Sequence, residues 1–313
     1  RPKYMLKQKN GIWKEADMSR PDVLLRPNSY QNHIQFREWW INSKLGHGNT
    51  YALKQRGSGN AVEKLYLMDP TRVTPLVSTD GSVFYQLKTD NLSGLPADIT
   101  VPASEIIHDR MNCLFHPLVG VSPIYACGIA ANQGLSIQKN STKFFANGSQ
   151  PGGILTAPGP ISEEVAKRLK KEWEENYGGD NAGRTAVVGD GLAYVPMAMT
   201  AIDSQLIEQL RMSADVVCSA FHVPAFLAGI GPLPSYNNVE ALYQQYYNQC
   251  LQILIESMEL CLDEGLSVPP GARIELDLDG LLRMDTNTKT EALTKAVGGG
   301  IMSPNEAREK FDM

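Results

Sequence analysis

The residues best suited to covalent chemistry are Cys218 and His222, which stand four positions apart. On an α-helix this spacing lets two side chains meet, as a thiol nucleophile and its general base must. The sequence indicates no third residue that would orient the histidine. We therefore favour a small packed cysteine, followed by a histidine that interacts with the carbonyl end of its helix. A hydrolase that uses Cys218 and His222 remains an alternative.

Other catalytic and metal-binding patterns are absent from the sequence. The five histidines include no His-x-x-x-His pair, and there is neither a Walker-A loop nor a Gly-x-Gly-x-x-Gly fingerprint. Asp277-Leu278-Asp279-Gly280 resembles the start of a calcium loop but lacks the downstream ligands. We predict a chain that is not an enzyme and that holds no metal and no cofactor.

One segment is rich in basic residues that could contact phosphate groups: Lys167, Arg168, Lys170 and Lys171. They alternate with glutamates, which predicts a solvated, salt-bridged helix face. The expected pairs, four positions apart, are Glu163–Lys167, Glu164–Arg168, Lys170–Glu174 and Lys171–Glu175. The net charge of −5 also opposes a broad basic face for nucleic acid. A monomeric nucleic-acid-binding module stays as a second alternative.

Length and composition describe an ordinary globular chain. The 313 residues are 42% apolar and 20% charged, enough for one elaborate domain or two with a buried core. No apolar run approaches the ~18 residues of a membrane span, so no membrane partner is expected. The five cysteines are an odd number without a Cys-x-x-Cys pair, which predicts reduced thiols in a cytosolic setting.

The first third of the chain predicts a mixed α+β domain. Residues 1–20 show no helical or strand periodicity, and an aromatic-rich helix is expected around 34–41, ended by Gly46-His47-Gly48-Asn49. From 50 to 109 the pattern is that of strands, the clearest being 65–68, 83–87 and 106–108.

Two helices frame a small insert in the middle of the chain. Ser122-Pro123 opens the first helix, rich in small residues, which runs towards 147–148. Thr200 and Asp203 start the second, which ends before Pro224. Between them lie a short helix after Ser162 and two strands, 185–188 and 192–197. A long helix over 238–264, a strand at 274–278 and a capping box at 303–306 follow.

Taken in order, several short segments resemble portal proteins of the HK97-like family of tailed phages. The Asp69-Pro70 pair followed by Val73 is one, and Gly120-Val121-Ser122-Pro123 is another. The full set lies at 48–52, 67–73, 120–124, 144–148, 153–156, 172–179, 181–184, 223–224 and 301–308. The resemblance spans about 24–308.

The resemblance implies an α+β, ring-forming portal fold with named parts. The first part is a mixed α/β wing at 1–121, followed by a stem helix at 122–150 and a small α/β clip at 151–199. A second stem helix and corner at 200–228 then lead to a tunnel loop at 229–237 and a long helix at 238–264. The last part, at 265–313, is a return to the wing with the start of a truncated C-terminal region.

Three groups of site residues follow from the resemblance. The tunnel loop would line a DNA channel with Gly229, Gly231, Pro232, Pro234, Ser235, Tyr236 and Asn237. The clip would face a packaging motor or connector with Lys167, Arg168, Lys170, Lys171, Trp173, Glu174 and Arg184. Stem helices would pack through Ala126, Ala130, Ala131, Gly134, Leu206, Leu210 and Val217.

The function implied is a conduit. About a dozen copies would form a closed ring at one capsid vertex of the virion, assembled in the host cytoplasm. Double-stranded DNA would pass through it during packaging and ejection. The further partners would be the terminase large subunit, a head–tail connector or adaptor, and capsid or scaffold proteins. A dozen chains of charge −5 carry about −60, which favours weak, replaceable contacts with sliding DNA.

Overall fold

The chain contains helices and antiparallel sheets arranged in two units. The computed structural model describes residues 1–16, 19–146, 153–177, 191, 193–196, 203–230, 239–278 and 286–309. The first unit comprises 1–126, 221–224 and 233–313, and the second comprises 127–220 and 225–232.

Two antiparallel sheets form the strand-rich part of the first unit, as the sequence predicts. The first has the order β4-β3-β8 and the second the order β5-β6-β7. Their strands are β3 (Asn49–Arg56), β4 (Val62–Met68), β5 (Val73–Val77), β6 (Val83–Leu87), β7 (Ile99–Pro102) and β8 (Ile106–Arg110). The buried residues Tyr51, Met68, Tyr85 and Leu87 belong to one apolar cluster that both sheets contribute to.

The third sheet corrects the expectation for residues 1–20. β1 (Pro2–Lys7) is central, between β11 (Ala272–Leu276) and β2 (Trp13–Glu15), and Tyr4 lies opposite Ile274. The burial of β1 alternates at its start, but the sequence places three apolar residues in a row at 4–6, so no clean alternation of apolar and polar residues marks the strand. The predicted strand at 274–278 is thus present two residues earlier.

Helix α1 (His33–His47) crosses the core of the first unit. Asn32 caps it and Gln35 completes the capping box. Phe36 and Trp40 are buried in a cluster with residues of β3 and β8 and with Met258. Trp40 is 0% exposed, so this helix anchors the unit.

The long helix predicted at 238–264 is interrupted. It consists of α5 (Val239–Tyr246), a π-helical segment (Tyr247–Leu251) and α6 (Gln252–Gly265). Cys250, within the π-helical segment, is buried, and its thiol donates to the carbonyl oxygen of Phe221 at 3.4 Å. Helices α7 (Thr286–Gly298) and α8 (Pro304–Glu309) follow, and the capping box of Ser303 and Glu306 is confirmed.

The second unit holds the two framing helices and part of the insert. Helix α2 (Ile124–Ala146) begins in the first unit, and the serine cap is confirmed because the hydroxyl of Ser122 accepts from the Ile124 amide. The remaining elements are β9 (Gly153–Thr156), α3 (Glu163–Tyr177), β10 (Ala193–Pro196) and α4 (Asp203–Ala220). β9 and β10 pair antiparallel, and the strand predicted at 185–188 lies outside the described residues.

Candidate functional site

A tight backbone junction fixes where α2 begins. Gly48 ends α1 in the left-handed conformation, with φ +77°, and its amide donates to Lys44. The Asn49 side chain exchanges two hydrogen bonds with the backbone of Gly120, at 2.8 and 3.0 Å. Ser122, which caps α2, donates to the Leu45 carbonyl at 2.6 Å. The end of α1 and the start of α2 are therefore held together.

Neither glycine of this junction leaves room for a side chain. A Cβ at Gly48 would lie 2.5 Å from the backbone of Gly120. A Cβ at Gly120 would lie 1.9 Å from the carbonyl oxygen of Gly48. Ordinary carbon contacts are about 3.5–4.0 Å, so the close approach requires glycine on both sides.

His108 extends the junction into the sheets. Its Nε2 donates to Asn49 Oδ1 at 3.1 Å, and its Nδ1 accepts from the Tyr85 hydroxyl at 2.9 Å. The ring also stacks on Tyr51, with centroids 4.2 Å apart. Burial, with a smaller effect of the Arg110 charge, lowers the pKa of His108 to about 3. The histidine is therefore a neutral structural link at physiological pH.

A buried ion pair ties α1, β8 and α6 to one another. Lys44 donates to Asp109 at 2.7 Å, and the two side chains are 3% and 1% exposed. Asp109 also accepts from Trp40 Nε1 at 2.8 Å and from the Ser257 hydroxyl at 2.6 Å. Because the carboxylate has three donors and the ammonium two acceptors, the buried charges are compensated.

Gly134 of α2 faces Ser213 of α4 in the second unit. A Cβ at Gly134 would lie 3.5 Å from the Cβ of Ser213, and Ser213, Cys127 and Ile137 are buried. Of the residues predicted for stem packing, Ala130, Ala131, Gly134, Leu210 and Val217 are half-buried, Ala126 is exposed, and the Leu206 side chain lies outside the described part.

Four other large apolar residues of these two helices are exposed to solvent. Ile129 on α2 is 88% exposed, and Leu135 is exposed as well. On α4, Met212 and Val216 are exposed. Exposed apolar residues in such number on neighbouring helices are typical of a surface that another protein covers.

Helix α3 carries the charged residues predicted for the clip. Ion pairs join Glu163 to Lys167 at 2.7 Å and Lys171 to Glu175 at 3.8 Å, as expected. Arg168 pairs with Glu172 at 3.9 Å rather than with the predicted Glu164. Both glutamates lie one turn from the arginine, and helix periodicity cannot decide between them.

The structure describes only some of the remaining residues predicted for the clip. Trp173 is half-buried and Lys170 is exposed on the same helix. The Glu174 side chain, and with it the predicted pair to Lys170, lies outside the described part, as does Arg184.

The expected tunnel loop is described only at its start. Gly229 has φ +74°, and its amide donates to the carbonyl of Phe226 at 3.1 Å. Gly231, Pro232, Pro234, Ser235, Tyr236 and Asn237 lie outside the described residues.

Cys218 does not have the environment of an activated nucleophile. Burial, reinforced by the Asp215 carboxylate, raises the pKa of its thiol, whereas catalysis needs a lowered value. His222 follows the end of α4 with φ +55°, beyond the last helical turn. Among the described residues, no cluster of three or more histidine, cysteine or acidic side chains could hold a metal ion. In the same part of the chain no helix has the length and apolarity of a membrane span.

Exposed apolar helix faces are typical of proteins that associate with other protein surfaces. The family model described as "Phage portal protein" matches residues 2–312, and the chain belongs to this family. It is 29% identical to the portal protein of Enterobacteria phage HK97 over 312 residues, covering 96% of this chain and 71% of the relative. It is 28% identical to a probable portal protein of Streptomyces phage phiC31, and the match covers 94% of this chain and 67% of the relative.

Solved structures share the fold. A neck of a native gene transfer agent particle, computed with C12 symmetry, matches with a TM-score of 0.63 at 23% identity, covering 92% of this chain and 82% of the other. An HK97-family phage portal protein from Corynebacterium diphtheriae matches with a TM-score of 0.64 at 14% sequence identity. The match covers 86% of this chain and 88% of the other.

The comparisons confirm several predictions and leave others open. The resemblance to HK97-like portal proteins and the mixed α+β class are confirmed, and family membership makes the chain a structural protein rather than an enzyme. The boundaries of wing, stem, clip and tunnel loop, and the roles of their residues, stay predictions.

The sequence reasoning missed the Gly48–Gly120 junction. Both glycines lie in segments that carry the family resemblance, so the sequence did mark the two positions separately. Their pairing across 72 positions could not be inferred from local patterns, because it depends on the tertiary fold.

Proposed function

We propose that this chain is one subunit of a portal ring of about a dozen copies, located at one vertex of a phage-like particle. Double-stranded DNA passes through the ring during packaging and ejection. Family membership supports the proposal, and so does the C12 symmetry of the gene transfer agent neck. A cyclic ring of this kind is built from head-to-tail contacts that close.

The observation that carries the proposal is the exposed apolar side of α2 and α4. Gly134 faces Ser213 within the chain, whereas Ile129, Leu135, Met212 and Val216 are exposed to solvent. Burying one such side chain stabilises an assembly by about 1.5–3 kcal/mol. We propose that neighbouring copies around an axis supply that burial and that these helices form the stem of the ring.

The insert at 151–199 is proposed as the clip, which docks the terminase large subunit and the head–tail connector. Capsid or scaffold proteins surround the ring outside this region. The charges of α3 support docking because its ion pairs are solvent-exposed and individually weak. Lys167, Arg168 and Lys171 can therefore exchange their glutamate partners for acidic groups of a docked protein at little cost.

The loop at 229–237 is proposed to touch the passing DNA without gripping it. The net charge of −5 supports weak contact, since tight binding would need lysine or arginine at many phosphates. Deleting 231–236 is expected to impair DNA retention in assembled particles. Packaging and retention that match the wild type would contradict this role.

A matched pair of surface variants tests the stem assignment. Ile129→Glu places a charge on the proposed contact, whereas Ile301→Glu changes an isoleucine of similar exposure, 84%, outside the second unit. Native mass spectrometry is expected to find rings for wild type and Ile301→Glu, and mainly single chains for Ile129→Glu. Rings of equal stability in all three proteins would refute the assignment.

A further inference from the structure

The sheet β11-β1-β2 has two edges with different surroundings. On the β11 edge, the Ile274 amide donates to the Asp263 carboxylate of α6 at 2.7 Å. The Leu276 amide donates in the same way to Glu259 at 2.6 Å. Carboxylate oxygens therefore close this edge in place of another strand. On the opposite edge lies β2 (Trp13–Glu15), and within the described part of the chain no further strand pairs with it.

The backbone groups of Trp13 and Glu15 face the open side of β2. The Ile12 carbonyl accepts from the residue that follows β1, and the Ala16 amide donates to Tyr4 of β1, both at 2.8 Å. Backbone groups of successive residues in a strand point to opposite sides. Since the even-numbered residues bond to the β1 side, the amides and carbonyls of residues 13 and 15 are open to a further strand.

The hairpin of β1 and β2 is basic, whereas the chain as a whole is acidic. Residues 1–14 contain five lysine and arginine residues and no acidic residue, against a net charge of −5 for the whole chain. Lys7, Lys9 and Lys14 are exposed, and none of them forms an ion pair with a carboxylate that the structure describes. Three ammonium groups beside an open strand edge favour a partner that is negatively charged.

Trp13 gives this edge an aromatic centre. The Arg273 guanidinium lies over the Trp13 ring, 4.1 Å from its centroid, and the Lys7 ammonium lies 5.8 Å from it. Arg273 belongs to β11, so the contact reaches across β1 and orients the half-buried ring. Tryptophan and arginine are enriched among the residues that contribute most to binding at protein interfaces.

An open strand edge of this kind matches a polypeptide better than a nucleic acid. Its amides alternate with its carbonyls, and an extended polypeptide offers both partners, whereas a phosphate group accepts hydrogen bonds and donates none. A second copy of this chain is a poor source of an acidic strand. Among the described strands β1–β11, none carries a net negative charge. The charge and the edge together therefore indicate a different protein.

We propose that β2 binds an extended, acidic segment of another protein, which adds as a further strand to the outer edge of the sheet β11-β1-β2. Trp13 and Glu15 pair with the backbone of this segment, and the three exposed lysines attract its carboxylates. Lysine on an edge strand also opposes pairing with neutral or basic strands, so the same residues select the partner. All of these groups belong to the first unit of a single chain, and the proposal does not depend on ring assembly.

Binding of labelled peptides, measured by fluorescence anisotropy, gives the first test. A peptide of alternating glutamate and valine is expected to bind at least about tenfold more tightly than one of alternating lysine and valine. Methylation of alternate backbone amides keeps the charge of the acidic peptide but removes its strand pairing. This change should weaken binding by at least about tenfold.

Variants of the hairpin separate the charge from the backbone pairing. Lys14→Glu should weaken binding of the acidic peptide about three- to tenfold. Lys88→Glu is the matched control, because Lys88 is an exposed lysine of the same unit outside this sheet. Glu15→Pro removes an outward amide, which an edge strand tolerates, and should bind the peptide at least about threefold more weakly than Glu15→Gln. Glu15→Gln removes the same charge and keeps the amide.

Each other outcome would overturn the proposal. Equal binding of the acidic and basic peptides would remove the charge selection. Binding that survives methylation of the peptide would show charge attraction without strand addition. Single-stranded DNA that binds more tightly than the acidic peptide, and that depends equally on Lys14, would assign the hairpin to nucleic acid. Self-association lost in Glu15→Pro but kept in Glu15→Gln would assign the edge to a second copy. Ring formation in the wild type is measured separately, so failure here leaves the proposed function standing.

Discussion

The junction of Gly48 and Gly120 leads to a sharp prediction about Gly48→Ala. Alanine at this position must adopt a left-handed backbone conformation, with φ +77°, which costs about 1–2 kcal/mol. Its Cβ would also lie 2.5 Å from the carbonyl carbon and oxygen of Gly120. Because backbone atoms, not a flexible side chain, stand in the way, the overlap costs a further ~1–3 kcal/mol.

The expected loss is therefore about 2–5 kcal/mol in the free energy of unfolding. Gly46→Ala is the control, two residues earlier in the same helix, where a new Cβ meets nothing within 4 Å. Removing a helical glycine there should stabilise the chain by up to about 1 kcal/mol. The two neighbouring glycines are thus predicted to respond with opposite signs.

Urea unfolding followed by tryptophan fluorescence measures both variants, because Trp40 is fully buried in the same unit. The Gly48→Ala midpoint should fall and the Gly46→Ala midpoint should stay or rise, with unchanged slopes. The free energy of unfolding of Gly48→Ala could instead lie within about 0.5 kcal/mol of the wild type, which is the range of an ordinary surface substitution. In that case the junction does not require glycine at position 48.

Two further predictions concern buried polar groups. Asp109→Asn leaves the Lys44 ammonium without its counter-charge and should lower the free energy of unfolding, measured with urea, by about 3–5 kcal/mol. A loss below about 1 kcal/mol would show that the pair is not buried in solution. His108, with its pKa lowered to about 3, stays neutral when folded but binds a proton when unfolded below its ordinary value of 6.5. Its contribution to stability is therefore present above pH 6.5 and falls by about 2 kcal/mol between pH 7 and pH 5. His108→Gln should remove that part of the pH dependence, and identical pH profiles of the two proteins would contradict it.

Local patterns in the sequence predicted most elements of the fold. The strands at 65–68, 83–87 and 106–108, the cap at Ser122 and the end of α1 near Gly48 depend on residues close in sequence, and all are present. Such features could be read from periodicity and capping chemistry.

Features that depend on distant residues were missed. β1 is a strand because β11 and β2 pair with it, and the Lys44–Asp109 pair joins residues 65 positions apart. The π-helical segment at Tyr247–Leu251 interrupts a pattern that reads as one continuous helix. For β1 and for the Lys44–Asp109 pair the deciding interaction is tertiary, so residues nearby in the sequence do not indicate it.

The candidate site was predicted unevenly for the same reason. The framing helices were predicted and are present, whereas the packing role of their small residues stays a prediction, since a Cβ at Gly134 would meet Ser213 at an ordinary 3.5 Å. The exposure of Ile129 and Met212 could not be predicted, because apolar residues at helical spacing ordinarily indicate a core.

Ring formation is tested most directly by the mass and symmetry of the assembled protein, measured by native mass spectrometry and electron microscopy on the same sample. We expect closed rings with a central hole and a mass near that of twelve 34.4 kDa chains, about 410 kDa. A homogeneous single chain of 34.4 kDa, at concentrations where relatives form rings, would contradict it.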